Sequence, residues 1–532
     1  MQPLSEQTKQ LLEDLKKIGS RKEPEQYSAN TISVSNLTSG IEFLYEKIRN
    51  ALEYREEHLW LKDAVLRILK RRFFEILAKE KIGREVVEEL IRGRYLENSY
   101  YPESKAFEIN EILDKYCRAF ELFETSQNLA EKQLNKLEEW FLGFAALEIV
   151  DLFPKSQTDR LFINYFWQTA KQATLASPET LGQEFDQQLY LGIFRNFFKA
   201  DTQMEQYEIF RLKYSDWFEN PPNQAIAEIS QQLPKIKQEL ETALKYPLRQ
   251  ELDRIMKRRS LFVFMLQDLI NQEKENASAV LNDPELLEGK LRTIYETHYQ
   301  KSRQKLQTSA IRAVVFIILT KMLFLFALEV PYQILTETVN YLVLGINTII
   351  PPLLLIISSL IIKMPGEEQN FIRIVSEFER MIRYHQEMPA LDIVKNKRQR
   401  SWPMRIALGS IYVLNISFTA WLLNLLFKAF DFNLADAFIF VLFLSLISFF
   451  AIRLRKTANQ LAAVEEKEHL ITAVVEFFFF PIIEVGKWIS RGVASINLTA
   501  FIFDFLIETP FKTVIQILEE WFGFIREKKQ NL

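Results

Sequence analysis

Four apolar runs stand out from an otherwise charge-rich chain: residues 313–331 (AVVFIILTKMLFLFALEVP), 339–362, 406–427 and 434–452. Nineteen helical residues rise about 28 Å, close to the ~30 Å hydrocarbon core of a bilayer. The pattern therefore predicts four transmembrane helices in two hairpins. The distribution of Lys and Arg orients them. Lys301, Arg303, Lys305 and Arg312 precede the first run, none lies between Met322 and Ile362, nine fall in 363–405, and Arg453, Arg455 and Lys456 follow the fourth run. Cytoplasmic loops collect such residues, so the expectation is a cytoplasmic N-terminus and a return to that face after each hairpin.

Upstream of the first run, apolar residues recur at helical spacing. Tyr45, Leu52, Leu59, Leu66 and Phe73 fall seven apart, with Ile48, Leu69 and Ile76 on the adjoining seam. Arg55 and Lys62 break that second seam, which favours a bundle helix over a long coiled coil. Residues 1–309 have no Asn-Gly, Asp-Gly or Gly-Gly pair, and TISVS at 31–35 is a very short alternation, so hairpin sheets are not expected. The expected fold class is all-α: a polytopic helical membrane protein with a large N-terminal helical cytoplasmic domain and an amphipathic helical C-terminal segment. Its divisions are an N-terminal arm (1–36), the cytoplasmic domain (37–309), a first transmembrane hairpin (310–363), a basic amphipathic loop (364–404), a second hairpin (405–455) and interfacial C-terminal helices (456–532). In that last part Glu476, Glu484, Lys487, Arg491 and Asp504 interrupt the greasy stretch. Helices lying in the interface are expected there, with re-entrant segments or two short extra spans as the alternatives.

Composition narrows the chemistry. Glycine is scarce, at 14 in 532 residues, and no glycine-rich phosphate loop occurs. A single cysteine, Cys117, excludes an intramolecular disulfide, and four histidines leave little material for a zinc site. A net charge of −3 does not point to nucleic acid. The N-terminus is polar, so no cleavable signal peptide is expected. Glu466-x-x-His469 has the spacing of one arm of a di-iron site, but no second such pair exists. No catalytic residue, cofactor or metal is expected.

Two regions hold candidate sites. Lys321 falls inside the first run, where a lysine costs about 2.5 to 3.5 kcal/mol on insertion scales. It is expected to face an acceptor within the bundle, drawn from Asn347, Asn415, Ser417 and Thr419. Glu329 is two turns away and, like Asp436, nearer the outer surface. Pro351 and Pro352 remove two backbone donors from the second run and must kink or break it. The group Lys321, Asn347, Pro351, Pro352 and Asn415 is either a structural lock or part of an ion or solute path. The second region is KNKRQRSWPMR, in which Lys395, Lys397, Arg398, Arg400 and Arg405 are candidate contacts for anionic lipid. A weaker echo, RILKRR at 67–72 and RIMKRR at 254–259, reads either as a chance recurrence or as two basic faces.

The expected function is a non-enzymatic membrane-anchored scaffold or interaction protein. The alternative is an oligomeric ion channel or transporter with its path near Lys321 and the Pro351-Pro352 break. Expected partners are the lipid bilayer, anionic lipid, a protein docked on the helical domain and a second copy of the chain. The absence of targeting signals fits a bacterial cytoplasmic membrane, with both termini in the cytoplasm.

Overall fold

The computed structural model describes residues 3–21, 31–34, 59–72, 81–126, 130–174, 183–219, 221–335, 340–362, 364, 366–383, 402–458 and a few positions between 477 and 485. The expectations for Tyr45, Ile48, Leu52, Arg55, Phe73, Ile76, Lys395, Lys397, Arg398, Arg400, Glu466, His469 and most of 456–532 fall outside these residues. All regular elements among the described residues are helices. Of the alternating stretch, the described residues 31–34 contribute one bridge, Thr31 with Pro102. The chain divides into two compact units, Met1–Val263 with Arg380–Ile393 and Leu498–Leu532, and Phe264–Glu379 with Val394–Asn497.

The first unit contains α1 (Glu6–Arg21), α2 (Trp60–Arg71), α3 (Gly83–Arg92), α4 (Ser104–Ser126), α5 (Glu131–Asp151), α6 (Pro154–Thr174), α7 (Gln183–Phe198), α8 (Thr202–Lys213) and α9 (Asn223–Ala243); α10 (Arg249–Glu273) contains the boundary at Val263. Its core is aromatic. Phe144 of α5 lies 5.4 Å from Phe210 and 5.6 Å from Tyr207 of α8, and Tyr116 of α4 meets Trp217 edge-on at 5.2 Å. Each such pair adds about 0.5 to 1.5 kcal/mol beyond its buried area.

Threaded through this core are ion pairs that apolar periodicity does not reveal. Glu208 of α8 is completely buried, yet it receives Arg160 at 2.9 Å, Arg211 at 2.6 Å and the Tyr190 hydroxyl at 2.9 Å. Burial alone would push its carboxyl up. The facing Arg160 and Arg211 outweigh that and hold it down at about 2. One turn earlier Glu205 is ion-paired with Arg195 at 2.9 Å and accepts from Arg249 at 2.8 Å. Lys62, which breaks the seam in α2, is itself buried and bonds Asp201, whose other oxygen caps α8 through the Met204 N–H at 2.9 Å. The break is thus a charged side chain that enters the core already paired. In RILKRR, Arg71 and Arg72 both bond Glu89, and Lys70 bonds Glu139; in RIMKRR, Arg254 bonds Glu251. Those basic side chains are tied to the protein's own carboxylates.

Where α3 begins, its backbone approaches α4 so closely that only glycine fits. A Cβ on Gly83 would run into the carbonyl of Ala106, and the Gly83 N–H is held by Asn110 Oδ1 at 2.8 Å. Backbone cannot yield as a flexible side chain does. Gly83→Ala is therefore expected to destabilise the first unit by about 1 to 3 kcal/mol, read as a lower unfolding midpoint for the full-length protein. An unchanged midpoint would show that α3 and α4 can slide apart freely.

The second unit holds α11 (Ala277–Asn282), α12 (Pro284–Phe324), a π-helical turn at Leu325–Glu329, α13 (Val330–Leu335), α14 (Tyr341–Ile361), α16 (Trp402–Ala429) and α17 (Leu434–Ala458); α15 (Glu367–Arg383) contains the boundary at Glu379. Asp283 caps α12, accepting from the N–H groups of Glu285 and Leu286 at 3.0 and 3.2 Å, with Pro284 in the first turn. The first apolar run is therefore not a helix of its own. It is the downstream part of a helix that starts at Pro284 and runs 41 residues, about 60 Å. Four stretches are long and apolar enough to cross a membrane: Pro284–Leu335, Tyr341–Ile361, Trp402–Ala429 and Leu434–Arg455. Each contains most or all of one apolar run of the sequence.

Helices α12, α14 and α17 pack together around Ile317, Leu355 and Phe443, none of them accessible. Their outward faces, and most of α16, are exposed aliphatic and aromatic side chains such as Leu319, Leu360, Trp421 and Phe438. An apolar exterior of this extent is what hydrocarbon, not water, solvates. Pro351 and Pro352 sit inside α14, which continues through them to Ile361. Within this unit α15 is joined to α12 by Arg292, which grips Glu368 through two bonds of 3.0 Å and stacks 4.4 Å over Phe371. In the first unit, the carbonyl of Ile382 accepts from the Ser5 N–H at 3.0 Å and the Thr8 hydroxyl at 3.1 Å.

Candidate functional site

Several polar positions of three of the apolar helices converge in one place. Lys321 of α12 is fully buried and bonds Glu329, at the end of the π turn. In a regular α-helix, residues eight apart differ by about 80° around the axis. A π turn spaces its hydrogen bonds at i to i+5 and in effect adds one residue to the turn. Lys321 and Glu329 then behave as a pair seven apart, about 20° from alignment, and two long side chains close the ~12 Å of rise between them. The same turn puts Gln333 of α13 on the buried face.

From Gln333 the network passes to α17. Its Nε2 donates to both carboxylate oxygens of Asp436, at 3.1 and 3.3 Å, and its Oε1 accepts from the Asn340 N–H at 3.2 Å. Asp436 lies in the first turn of α17, where its own N–H reaches Asn433 Oδ1 at 2.8 Å. A carboxylate there also gains from the helix dipole. Asn347 of α14 is buried and donates to the carbonyl of Asp436 at 3.3 Å. The ring of Phe443 stands 5.0 Å from Lys321 Nζ and covers it with a cation–π contact. The cluster is thus one ammonium and two carboxylates, drawn from α12, the π turn and α17, closed by amides from α13 and α14.

Some of its acceptors have no protein donor. Glu329 Oε2 and Asn347 Oδ1 are buried without a hydrogen-bond partner, as is Oγ1 of Thr348, the next residue of α14. Pro351 and Pro352 add to this, because they leave the carbonyls four residues earlier, those of Asn347 and Thr348, without their α-helical donors.

The placement of the expected site residues is mixed. Lys321 and Asn347 belong to one cluster, and Pro351 is buried on the same helix as Asn347. The acceptor of Lys321 is Glu329, which the expected set of partners did not contain. Asn415 is elsewhere: it is buried in α16, where its Nδ2 donates to the carbonyl of Phe477 at 2.6 Å, and Thr419 is bonded to Asn415. Arg405 lies in the first turn of α16. Gln333 and Asn340 are members absent from the expected site, and Asp436 is one expected nearer the outer surface, away from Lys321. The available signal was Asn340 and Asn433 as caps flanking two polar residues of the apolar runs. No grouping of His, Cys, Asp and Glu among the described residues is suited to a metal ion. Comparison with known protein-family models, with curated proteins and with solved structures finds no match to this chain.

Proposed function

We propose that this protein is a non-enzymatic membrane-anchored scaffold or interaction protein, held in the bilayer by the four apolar helices and presenting its helical unit to a protein partner at the cytoplasmic face. A bacterial cytoplasmic membrane, with both termini inside, agrees with the distribution of Lys and Arg around the apolar helices. The observation that carries this reading is the closure of Lys321. Its charge is matched by Glu329 farther along the same helical stretch and covered by Phe443 of α17, so the closed group ties that stretch to a second helix. A charge lining a conducting path needs to meet the passing ion.

A second reading is an oligomeric channel or transporter, with a path near Lys321 and the Pro351-Pro352 break. It draws on the undonated acceptors Glu329 Oε2, Asn347 Oδ1 and Thr348 Oγ1, since broken donor patterns in spanning helices serve ion coordination in transporters. Liposomes reconstituted with the full-length protein and with Lys321→Leu/Glu329→Leu separate the two. The double variant removes a cation and an anion together and so keeps the charge balance. Silence in both is expected for a scaffold. A conductance in the wild type whose ion selectivity changes in the variant would replace the scaffold reading with transport.

A further inference from the structure

Helix α12 has two contrasting sides. Its buried seam descends through Leu306, Ala310, Ala313, Ile317 and Lys321. On the far side Lys305, Thr308, Arg312, Phe316, Leu319 and Leu323 recur every three or four residues, and all are exposed. They form one continuous stripe. The stripe is cationic upstream and apolar downstream, and the change falls between Arg312 and Phe316. Lys301 extends its cationic part by one more turn.

These cations differ from the ion-paired ones of the first unit. Arg71, Arg160, Arg211 and Arg249 all grip carboxylates of the chain itself. Between Glu296 and Glu329 the sequence contains no acidic residue at all. Lys301, Lys305 and Arg312 pair with no described carboxylate and stand exposed. Four positive charges (Arg303 is the fourth) that form no ion pair with a described carboxylate repel one another along one stretch of helix, and an added anion relieves that.

We propose that this stripe binds an anionic phospholipid, its phosphate on Lys305, Thr308 and Arg312 and an acyl chain along Phe316, Leu319 and Leu323. The proposal rests on the reading of α12 as a membrane-crossing helix. The dimensions suit the ligand. Lys305 and Arg312 are about 10 Å apart along the axis, so two long side chains converge on one phosphate from either side of the Thr308 hydroxyl. From Arg312 to Leu323 is about 16 Å, the depth of one leaflet. The headgroup end thus coincides with the place where the helix surface turns from charged to greasy.

The test uses the full-length protein in nanodiscs of phosphatidylcholine containing a minority of phosphatidylglycerol. Native mass spectrometry then counts the lipids that remain bound on release. Each basic residue near the surface adds about a fivefold preference for an anionic lipid. Wild type is expected to keep phosphatidylglycerol over phosphatidylcholine. Lys301→Gln/Lys305→Gln/Arg312→Gln is expected to reduce that preference on the order of a hundredfold. The control Lys9→Gln/Lys17→Gln/Arg84→Gln makes the same change of charge in the first unit and is expected to leave it intact. Equal retention of both lipids by wild type, or a preference that survives the stripe variant, overturns the site. Failure of the wild-type chain to enter the disc at all overturns the membrane reading, and the site with it.

Discussion

Glu329→Leu alone is expected to destabilise the helix bundle by about 3 to 5 kcal/mol, more than the double variant Lys321→Leu/Glu329→Leu. The single change leaves the Lys321 ammonium buried under Phe443 without its partner. Lys321→Leu alone should be similarly severe, since it leaves two carboxylates, Glu329 and Asp436, in one buried cluster. Removing both members discards the attraction together with the cost of keeping two ions out of water, so most of the loss is recovered. The four proteins form a double-mutant cycle, measured by thermal unfolding in detergent through tryptophan fluorescence. Two single losses that simply add in the double variant would mean that the ammonium and the carboxylate are not coupled, and the locking role would fall with them.

The second large effect belongs to Glu208. Its carboxyl is held at about 2, against an ordinary value of 4.5, by Arg160 and Arg211 acting against its burial. A depressed value means that the folded state favours the charged form. Its contribution to stability is therefore complete above about pH 4.5 and is lost as the pH falls towards about 2. A shift of that size corresponds to about 3 kcal/mol. Glu208→Gln is expected to lose a comparable amount at neutral pH, because Arg211 then has no charge at that position, whereas Arg160 keeps Asp151 at 2.6 Å. The variant should also show a shallower loss of stability on acidification. Unfolding midpoints for the two proteins, compared across the acid range, test both points. Parallel acid profiles would show that some other carboxylate governs the transition.

The four apolar stretches and the helical character of the rest were legible because both depend on periodicity and length. Helix α14 matches its run within two residues at either end, apolar positions being dense and Asn340 supplying a cap. The partner of Lys321 was not legible for a geometric reason. Reading the helix as regular places Glu329 about 80° away from it, and nothing in LFALE announces a wider turn. Lys62, Glu205 and Glu208 were hidden for another reason. A charged residue at a core position looks like an interruption in the pattern until its partner is known, and the partners Asp201, Arg195 and Arg160 lie on other helices. Asn415 shows the converse limit: a polar residue in an apolar run needs a partner, but the pattern does not say which segment supplies it, here the carbonyl of Phe477.

The π turn also sets how the chain can change in length. Because it holds one residue more than an α turn, the segments on either side are phased as though that residue were absent. Deleting one residue from 325–328 would convert the turn to regular helix and still leave Gln333 and Glu329 beneath the seam of Lys321. The same deletion between Leu306 and Ile317 would rotate the upstream part by about 100° and carry Leu306 out of the core. The first apolar helix therefore has a built-in place where a residue can be lost without losing the alignment of its buried face.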